Sequence, residues 1–491
     1  MTILAIDAGT TGVTALLVSP AGEVLSTGYA EFPQHFPADG FVEHELGEIW
    51  AATLAATRHA LTWGDVTITA IGITNQRETI CFWDRETLGG ARRAIVWQDR
   101  RSAALCSALR DAGHEQFVTE ATGLRLDPYF SATKLSWVRE HEPAIWQRVV
   151  DGDVAIGTVD SYLIARMTRG LEHLTDATNA SRTLLYDIRS GAWSPELCAL
   201  FEVPIEALPR IVDSYGVVAR TDPSAFLGID APIAGIAGDQ QAALVGQAGF
   251  AAGATKCTYG TGSFLLQHTG TSIVRSQHGL LTTVALQRAG GARDFALEGS
   301  IFVTGSAVQW LRDGLGIIDD SAQVESLAAS VPDSAGIVFV PALTGLGAPD
   351  WDPLARGLII GITRGTTSAH IARATLEAIA FEVRDIVTLM EAESGARLPA
   401  LHVDGGATAD DLLMQIQADA LGTTVDRSLH TQTTGLGAAY LAGLGTGVWS
   451  SIDELVNSRR SSGRFEPESR HSYDAQYARW RDAVERSKGW A

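Results

Sequence analysis

The chain has 491 residues, 46% of them hydrophobic and 19% charged, with a formal net charge of -20. That length accommodates two to three domains with sizeable cores. The negative balance argues against a nucleic-acid binder or a protein held on an anionic membrane, but not against an ATP binder, because local glycines, dipoles and a divalent cation outweigh a diffuse field.

Four scattered cysteines (Cys81, Cys106, Cys198 and Cys257) show no metal-ligand spacing and read as reduced, mostly buried thiols of a cytosolic protein. The start, Met-Thr-Ile-Leu-Ala-Ile-Asp, resembles neither a signal nor a transit peptide, and no apolar run reaches membrane-span length. The histidines, His44 and His402 among them, lack repeated ligand spacing and read as structural.

Ile3–Ile6 predicts a short strand, Asp7–Gly12 a turn and Val13–Val18 a second strand. In that turn Gly9 and Gly12 let backbone N–H groups face a phosphate. Thr10 and Thr11 add hydroxyls, and Asp7 suits a hydrated Mg2+. A plain hairpin turn has the same composition. Glu48–Trp63 predicts a helix with Trp50, Leu54, Thr57 and Leu61 on one face. Ile68–Ile73 is a buried strand running into Thr74–Thr79, where Arg77 and Glu78 offer a donor and an acceptor to a polyol, or form a surface ion pair. Ala94–Arg101 repeats strand then polar cluster, with Trp97 as pocket wall or core. Asp127–Trp137 enters a helix at a Pro-containing turn that could present Tyr129. Ile156–Tyr162 and Thr175–Arg182 read as capped turns.

Ala234–Ala237 is a short buried strand. Gly238 ends it, and Asp239-Gln240-Gln241 opens a helix. A carboxylate at such a switch can cap the helix, or take a proton from a hydroxyl beside a bound phosphate. The second half restarts the design: Lys256–Leu266 is strand, Gly-Thr-Gly turn, strand, echoing Ala5–Val13 and suggesting two related α/β lobes facing a cleft. Gly305 leads into a helix, and 341–352 is a Gly/Pro-rich loop. Ala369–Glu391 is a long helix with Leu376, Ile379, Val383, Ile386 and Met390 as its core stripe. Leu401–Asp404 runs into a glycine pair and a helix whose open start suits a nucleotide. A last helix around Tyr477–Arg486 is expected on the outside.

Tyr129–His141 and the stretch from Gly357 to Glu377 resemble the two signatures of the FGGY carbohydrate kinases, and the likeness runs nearly end to end. Gly72–Thr79, Ile95–Arg101, Asp127–Phe130 and Gly235–Leu244 are similar to the members of that family that act on glycerol. The resemblance implies an α/β fold of two ribonuclease-H-like lobes, of the actin-type ATPase kind, around a hinged cleft. Residues 1–245 would form the polyol lobe with the phosphate hairpin, and 246–491 the nucleotide lobe. It implies phosphorylation of glycerol by ATP to sn-glycerol 3-phosphate in the cytoplasm, with Mg2+, without nucleic acid or membrane insertion, and compatibly with a homo-oligomer. Asp239 would be the general base. Arg77, Glu78, Tyr129 and Asp239 would hold the hydroxyls with Gln240 beside them, and Trp97 and Phe264 would pack on the carbon chain. Thr10 and Thr11 with Thr261 match phosphate positions, and Gly12 of the same turn is expected at the nucleotide. Gly305, Gln309 and Gly406 match nucleotide positions, Asp410 lies where an Asn near adenine is common, and Asp7 is the residue near Mg2+, through water. The hairpin departs from the family's usual Ser, Ser and Arg: this chain has Gly12, Val13 and Thr14.

Overall fold

The computed structural model describes residues 2–64, 66–468 and 473–491. Its strands of the two large sheets are, in chain order, β1 (Thr2–Ala8), β2 (Gly12–Val18), β3 (Val24–Glu31), β4 (Ile68–Asn75), β5 (Tyr215–Arg220), β6 (Pro232–Gly238), β7 (Thr255–Tyr259), β8 (Ser263–Gly270), β9 (Leu281–Gln287), β10 (Arg293–Ile301), β11 (Leu401–Asp404), β12 (Val425–Ser428) and β13 (Ser461–Phe465). The helices that matter below are α1 (Leu46–Leu61), α2 (Asp239–Gly246), α3 (Gly305–Asp313), α4 (Ser368–Ser394), α5 (Asp411–Leu421), α6 (Thr433–Thr446) and α7 (Asp474–Ser487).

The first sheet runs β3-β2-β1-β4-β6-β5 and the second β9-β10-β8-β7-β11-β12-β13. In each, a hairpin (β1–β2, β7–β8) gains an antiparallel third strand on one side (β3, β10). On the other side it gains two parallel strands and an antiparallel edge strand. The short echo between Ala5–Val13 and Lys256–Leu266 therefore marks a repeated topology.

β1 and β2 are apolar on both faces because both faces are covered. Leu4, Ile6, Val13, Ala15 and Leu17 pack with α1, while Ile3, Ala5, Leu16 and Val18 pack with α6. The second core joins the α4 stripe to Leu413, Ile416 and Ala420 of α5 and to Trp480 and Val484 of α7. The sheets divide by sequence, the first lying within 2–238 and the second within 255–465, but α6 crosses back. It packs on the first sheet and on α2, so closely that a Cβ on Gly437 would stand 1.8 Å from the Ala242 carbonyl oxygen.

Several expectations need correcting. Asp7 is inside β1, paired with Thr14 and Thr74, and the turn is only 9–11. On α1, Trp50 and Thr57 are buried as expected, but Ile49, Thr53, Ala56 and Ala60 complete the inner face and Leu54 and Leu61 lie at its margin. The segment after Ile156 is a full helix, Val159–Met167, because Thr158 starts it and its apolar residues are buried on all sides. Only Asp176 behaves as the expected cap, accepting from the Thr178 and Asn179 N–H groups. The last helix lies outside the sheet yet buries Trp480, Ala483 and Val484, and the Trp480 indole donates to the Phe339 carbonyl at 3.0 Å. All four cysteines are buried and free. Among the described residues no helix is long and apolar enough to cross a membrane.

Candidate active site

β4 and β6 run parallel, with Ile73 beside Ile236, Thr74 beside Ala237 and Asn75 beside Gly238. Their carboxyl ends therefore deliver Arg77, Glu78 and Asp239 to one place, where open α/β sheets bind ligands. Gly238 is the N-cap of α2 and Asp239 its first residue, so the aspartate is not the helix cap. Its Oδ1 lies 3.0 Å from Arg77 Nε and accepts the Gln240 N–H at 2.7 Å.

Arg77 and Glu78 do not form the surface pair their adjacency suggests: both are buried, and their closest polar atoms are 3.9 Å apart. Instead Glu298, from β10 of the second sheet, takes both Arg77 Nη atoms at 2.5 and 3.1 Å. Glu298 also accepts from Arg182 Nη2 at 2.9 Å, and Arg182 Nε donates to Glu78 at 2.6 Å. The result is a chain, Asp239–Arg77–Glu298–Arg182–Glu78, in which only Asp239 is appreciably exposed, at 29%. Burial pushes the Glu298 carboxyl up, but the two guanidinium groups overcome it and bring it to about 2. Glu78 stays raised, burial prevailing over Arg182 and Arg77. Its backbone is left-handed at φ 60, a costly conformation for Glu, and Ser131 pins it by donating to its carbonyl at 2.8 Å.

Tyr129 sits at the start of the helix Ser131–His141. Lys134, fully buried in the first signature, donates to the carbonyls of Pro128 (2.6 Å), Tyr129 (2.7 Å) and Phe130 (3.2 Å) and so fixes the turn that presents the ring. Burial lowers that lysine to about 8. Burial also raises the Tyr129 phenol, keeping it a neutral donor. Trp97 meets Tyr129 edge-on at 5.6 Å and donates its indole N–H to Thr10 Oγ1 at 3.0 Å, tying this wall to the first hairpin. Gln240 is engaged by buried Lys256 of the second lobe, which also donates to Thr258 Oγ1 at 3.0 Å and the Phe264 carbonyl at 3.2 Å. Phe264 is half-buried on β8, between Thr258 and Ser300 in register.

The other side of the site is built differently. Burial and Asp239 raise the Asp7 carboxyl to about 7. Beside it, on the partner strand, Thr74 Oγ1 is buried and has no hydrogen-bond partner among the described residues. Facing carboxylates and an orphaned hydroxyl fit a hydrated divalent cation. Among the described residues no group of three His, Cys, Asp or Glu side chains is placed to hold a metal, so such an ion would take water and phosphate oxygens for its remaining ligands. Thr11 and Thr261 are exposed at the two hairpin turns. The second turn docks on α3: Gly305 N–H donates to the Gly260 carbonyl at 3.0 Å and Ser306 N–H to the Thr261 carbonyl at 3.1 Å. Gln309 is exposed one turn further along α3. Of the glycine pair after β11, Gly405 is the constrained one: its φ is 94, and a Cβ there would stand 2.3 Å from the Tyr259 carbonyl oxygen. Gly406 is exposed and faces open space. The helix start expected to be open is not. A 3-10 turn, Gly406–Ala409, intervenes, and Asp410 caps α5 by accepting the Leu413 N–H at 2.8 Å. Its other oxygen is buried with no hydrogen-bond partner among the described residues, and burial with Glu325 nearby lifts the carboxyl to about 6.

Sequence reading missed Arg182, Glu298 and Lys256. Arg182 closed a segment read as a capped turn. Glu298 and Lys256 carried only one weak signal, a charge within an apolar strand pattern, Phe295–Ile301 and Thr255–Tyr259. A buried charge of that kind needs a partner.

The profile of the FGGY family of carbohydrate kinases matches this chain twice, its N-terminal domain over residues 2–246 and its C-terminal domain over 255–446. The chain is 53% identical to a glycerol kinase of Aromatoleum aromaticum, over 99% of each chain. It is 52% identical to that of Dechloromonas aromatica, over 100% of this chain and 98% of the other. Its structure superposes on the ADP complex of Plasmodium falciparum glycerol kinase with a TM-score of 0.94 at 35% identity, covering 99% and 98%. A xylulose kinase from Lactobacillus acidophilus shares the fold, with a TM-score of 0.90 at 21% identity over 99% of each chain. The repeated topology, the paired hairpins and these full-length matches agree: the chain belongs to the FGGY family of carbohydrate kinases.

Proposed function

We propose that the protein transfers the terminal phosphoryl group of ATP to glycerol, giving sn-glycerol 3-phosphate and ADP. The observation that carries this reading is the Arg77–Asp239 contact at 3.0 Å, at the carboxyl ends of parallel β4 and β6, with Glu78 and Tyr129 beside it. Two residues hold a polyol by complementary bonds, Arg77 donating and Glu78 accepting. Asp239, the exposed end of the charge chain, takes the proton of the attacking primary hydroxyl as the O–P bond forms. Trp97, Tyr129 and Phe264 bound the carbon chain, which favours a three-carbon polyol over a longer sugar. Phosphoryl transfer depends mainly on positioning and charge neutralisation. Thr10, Thr11 and Gly12 on one hairpin and Thr261 on the other receive phosphate. Gly305, Gln309 and Gly406 face the rest of the nucleotide, and Asp410 lies toward its base. Asp7 would hold Mg2+ through water, and the ion would neutralise phosphate charge. The reading places residues 1–245 mainly at the polyol and 246–491 mainly at the nucleotide.

The test is a coupled ADP-release assay with glycerol, erythritol, xylulose and no acceptor. ADP release with glycerol well above the others is expected. Preference for xylulose or erythritol would replace the substrate, and equal release without acceptor would replace the activity.

A further inference from the structure

We propose that the Tyr29 hydroxyl is a phosphate-binding donor of the first hairpin, seated there because position 12 is glycine. The proposal rests on the ATP-dependent reading above. Asp7, Thr14 and Tyr29 are successive cross-strand partners on β1, β2 and β3, so their side chains share one face of the sheet. Tyr29 belongs to β3, the edge strand of that sheet, yet its ring does not stand out from the edge. It leans diagonally over β2 toward the hairpin turn. A Cβ on Gly12 would lie 2.7 Å from the Tyr29 hydroxyl oxygen, 2.8 Å from its Cε2 and 2.7 Å from the Ala30 carbonyl oxygen. Any larger residue at 12 would evict the ring. The hydroxyl is thereby delivered beside Gly12, the residue that follows Thr10 and Thr11 in the hairpin. Tyr29 is 48% exposed, and among the described residues no hydrogen bond to its hydroxyl is formed.

This answers the absence of a cation in the hairpin. Thr14, on the same row, is too short to reach past Gly12, whereas a phenol spans that distance and donates one bond to a phosphate oxygen. The donor is uncharged and lies on a face that also carries Asp7.

The experiment is steady-state kinetics on Tyr29→Phe with ATP and glycerol varied in turn, together with calorimetric titration of MgATP in the absence of glycerol. Tyr29→Phe keeps the ring that covers Gly12 and removes only the hydroxyl. The expected result is an ATP KM and a MgATP Kd about five- to tenfold higher, as for one charge-assisted bond, with the glycerol KM unchanged within about twofold. Thr14→Arg should gain little in the parent chain, where the hydroxyl already serves, but restore the ATP KM in the Tyr29→Phe background. A Tyr29→Phe variant with parental melting temperature, ATP KM and MgATP Kd overturns the proposal. Loss of glycerol turnover by the parent chain itself would overturn the substrate assignment instead, and the MgATP titration would still decide the role of Tyr29.

Discussion

The proposed polyol side and the proposed nucleotide side of the site are held by opposite means. On the first, Arg77, Glu298, Arg182 and Glu78 are buried charges supplied by both lobes and locked to one another at 2.5 to 3.1 Å. On the second, the contacts are hydroxyls and glycines at exposed turns, and the carboxyls present, Asp7 and Asp410, are raised to about 7 and about 6 with no cationic partner among the described residues. A small neutral substrate can be recognised only by fixed donors and acceptors, since it brings no charge to organise the site. A nucleotide with its cation brings its own charge, so its seat needs space and N–H or O–H groups more than fixed ions.

The largest expected effect is at the point where the two sides meet. Asp239→Asn should lower kcat on the order of 10²–10⁴-fold, while Arg77 keeps its bonds to Glu298. A kcat within a few-fold of the parent would make Asp239 part of the lock rather than the base. Next comes the lock. Glu298→Gln leaves two buried guanidinium groups short of a counter-charge, which should cost about 3–5 kcal/mol of stability and raise the glycerol KM with little change in the ATP KM. Urea unfolding and two-substrate kinetics check this; equal effects on both KM values would erase the contrast between the sides.

Asp7→Asn probes the nucleotide side. Its carboxyl is raised from 3.8 to about 7, so its contribution to ligand-free stability is full below the lower value and lost as pH rises through the higher one. The variant should therefore melt higher than the parent at pH 8 without ligand, yet need about 10–100-fold more Mg2+ for turnover. A lower melting temperature at pH 8 would contradict the raised carboxyl. The smallest effect is at Asp410. Protonation near pH 6 removes a negative charge close to the proposed nucleotide seat, so the ATP KM of the parent should fall a few-fold relative to Asp410→Asn as pH drops from 8 to 5.5. Asn keeps the helix cap, and identical pH profiles for the two proteins would place the base elsewhere.

The sequence announced the scaffold through local signals: apolar runs of strand length, the core stripe of α4, and two glycine turns whose echo proved to be topological. Arg77, Glu78 and Asp239 were legible because each follows a buried strand directly. That those two strands are parallel neighbours, which is what unites the three residues, is a long-range pairing with no local trace. Glu298 lies 221 residues from Arg77 and in the other sheet, so no spacing could join them. The glycine pair shows the converse: its composition suggested an open helix start, whereas Gly405 is needed for its backbone angle and Asp410 closes the helix.

The return of α6 to the first sheet bears on how the protein is made. Ile3, Ala5, Leu16, Val18, Ala70 and Ala234 share one core with Leu436, Ala439 and Leu441, which arrive some two hundred residues after the last strand of that sheet has been synthesised. A nascent chain emerging in order therefore has all the strands of this sheet before the helix that covers much of one of its apolar faces. The first lobe is completed by a helix made long after its own strands, and a fragment ending at residue 246 would lack the helix that shields its sheet from aggregation.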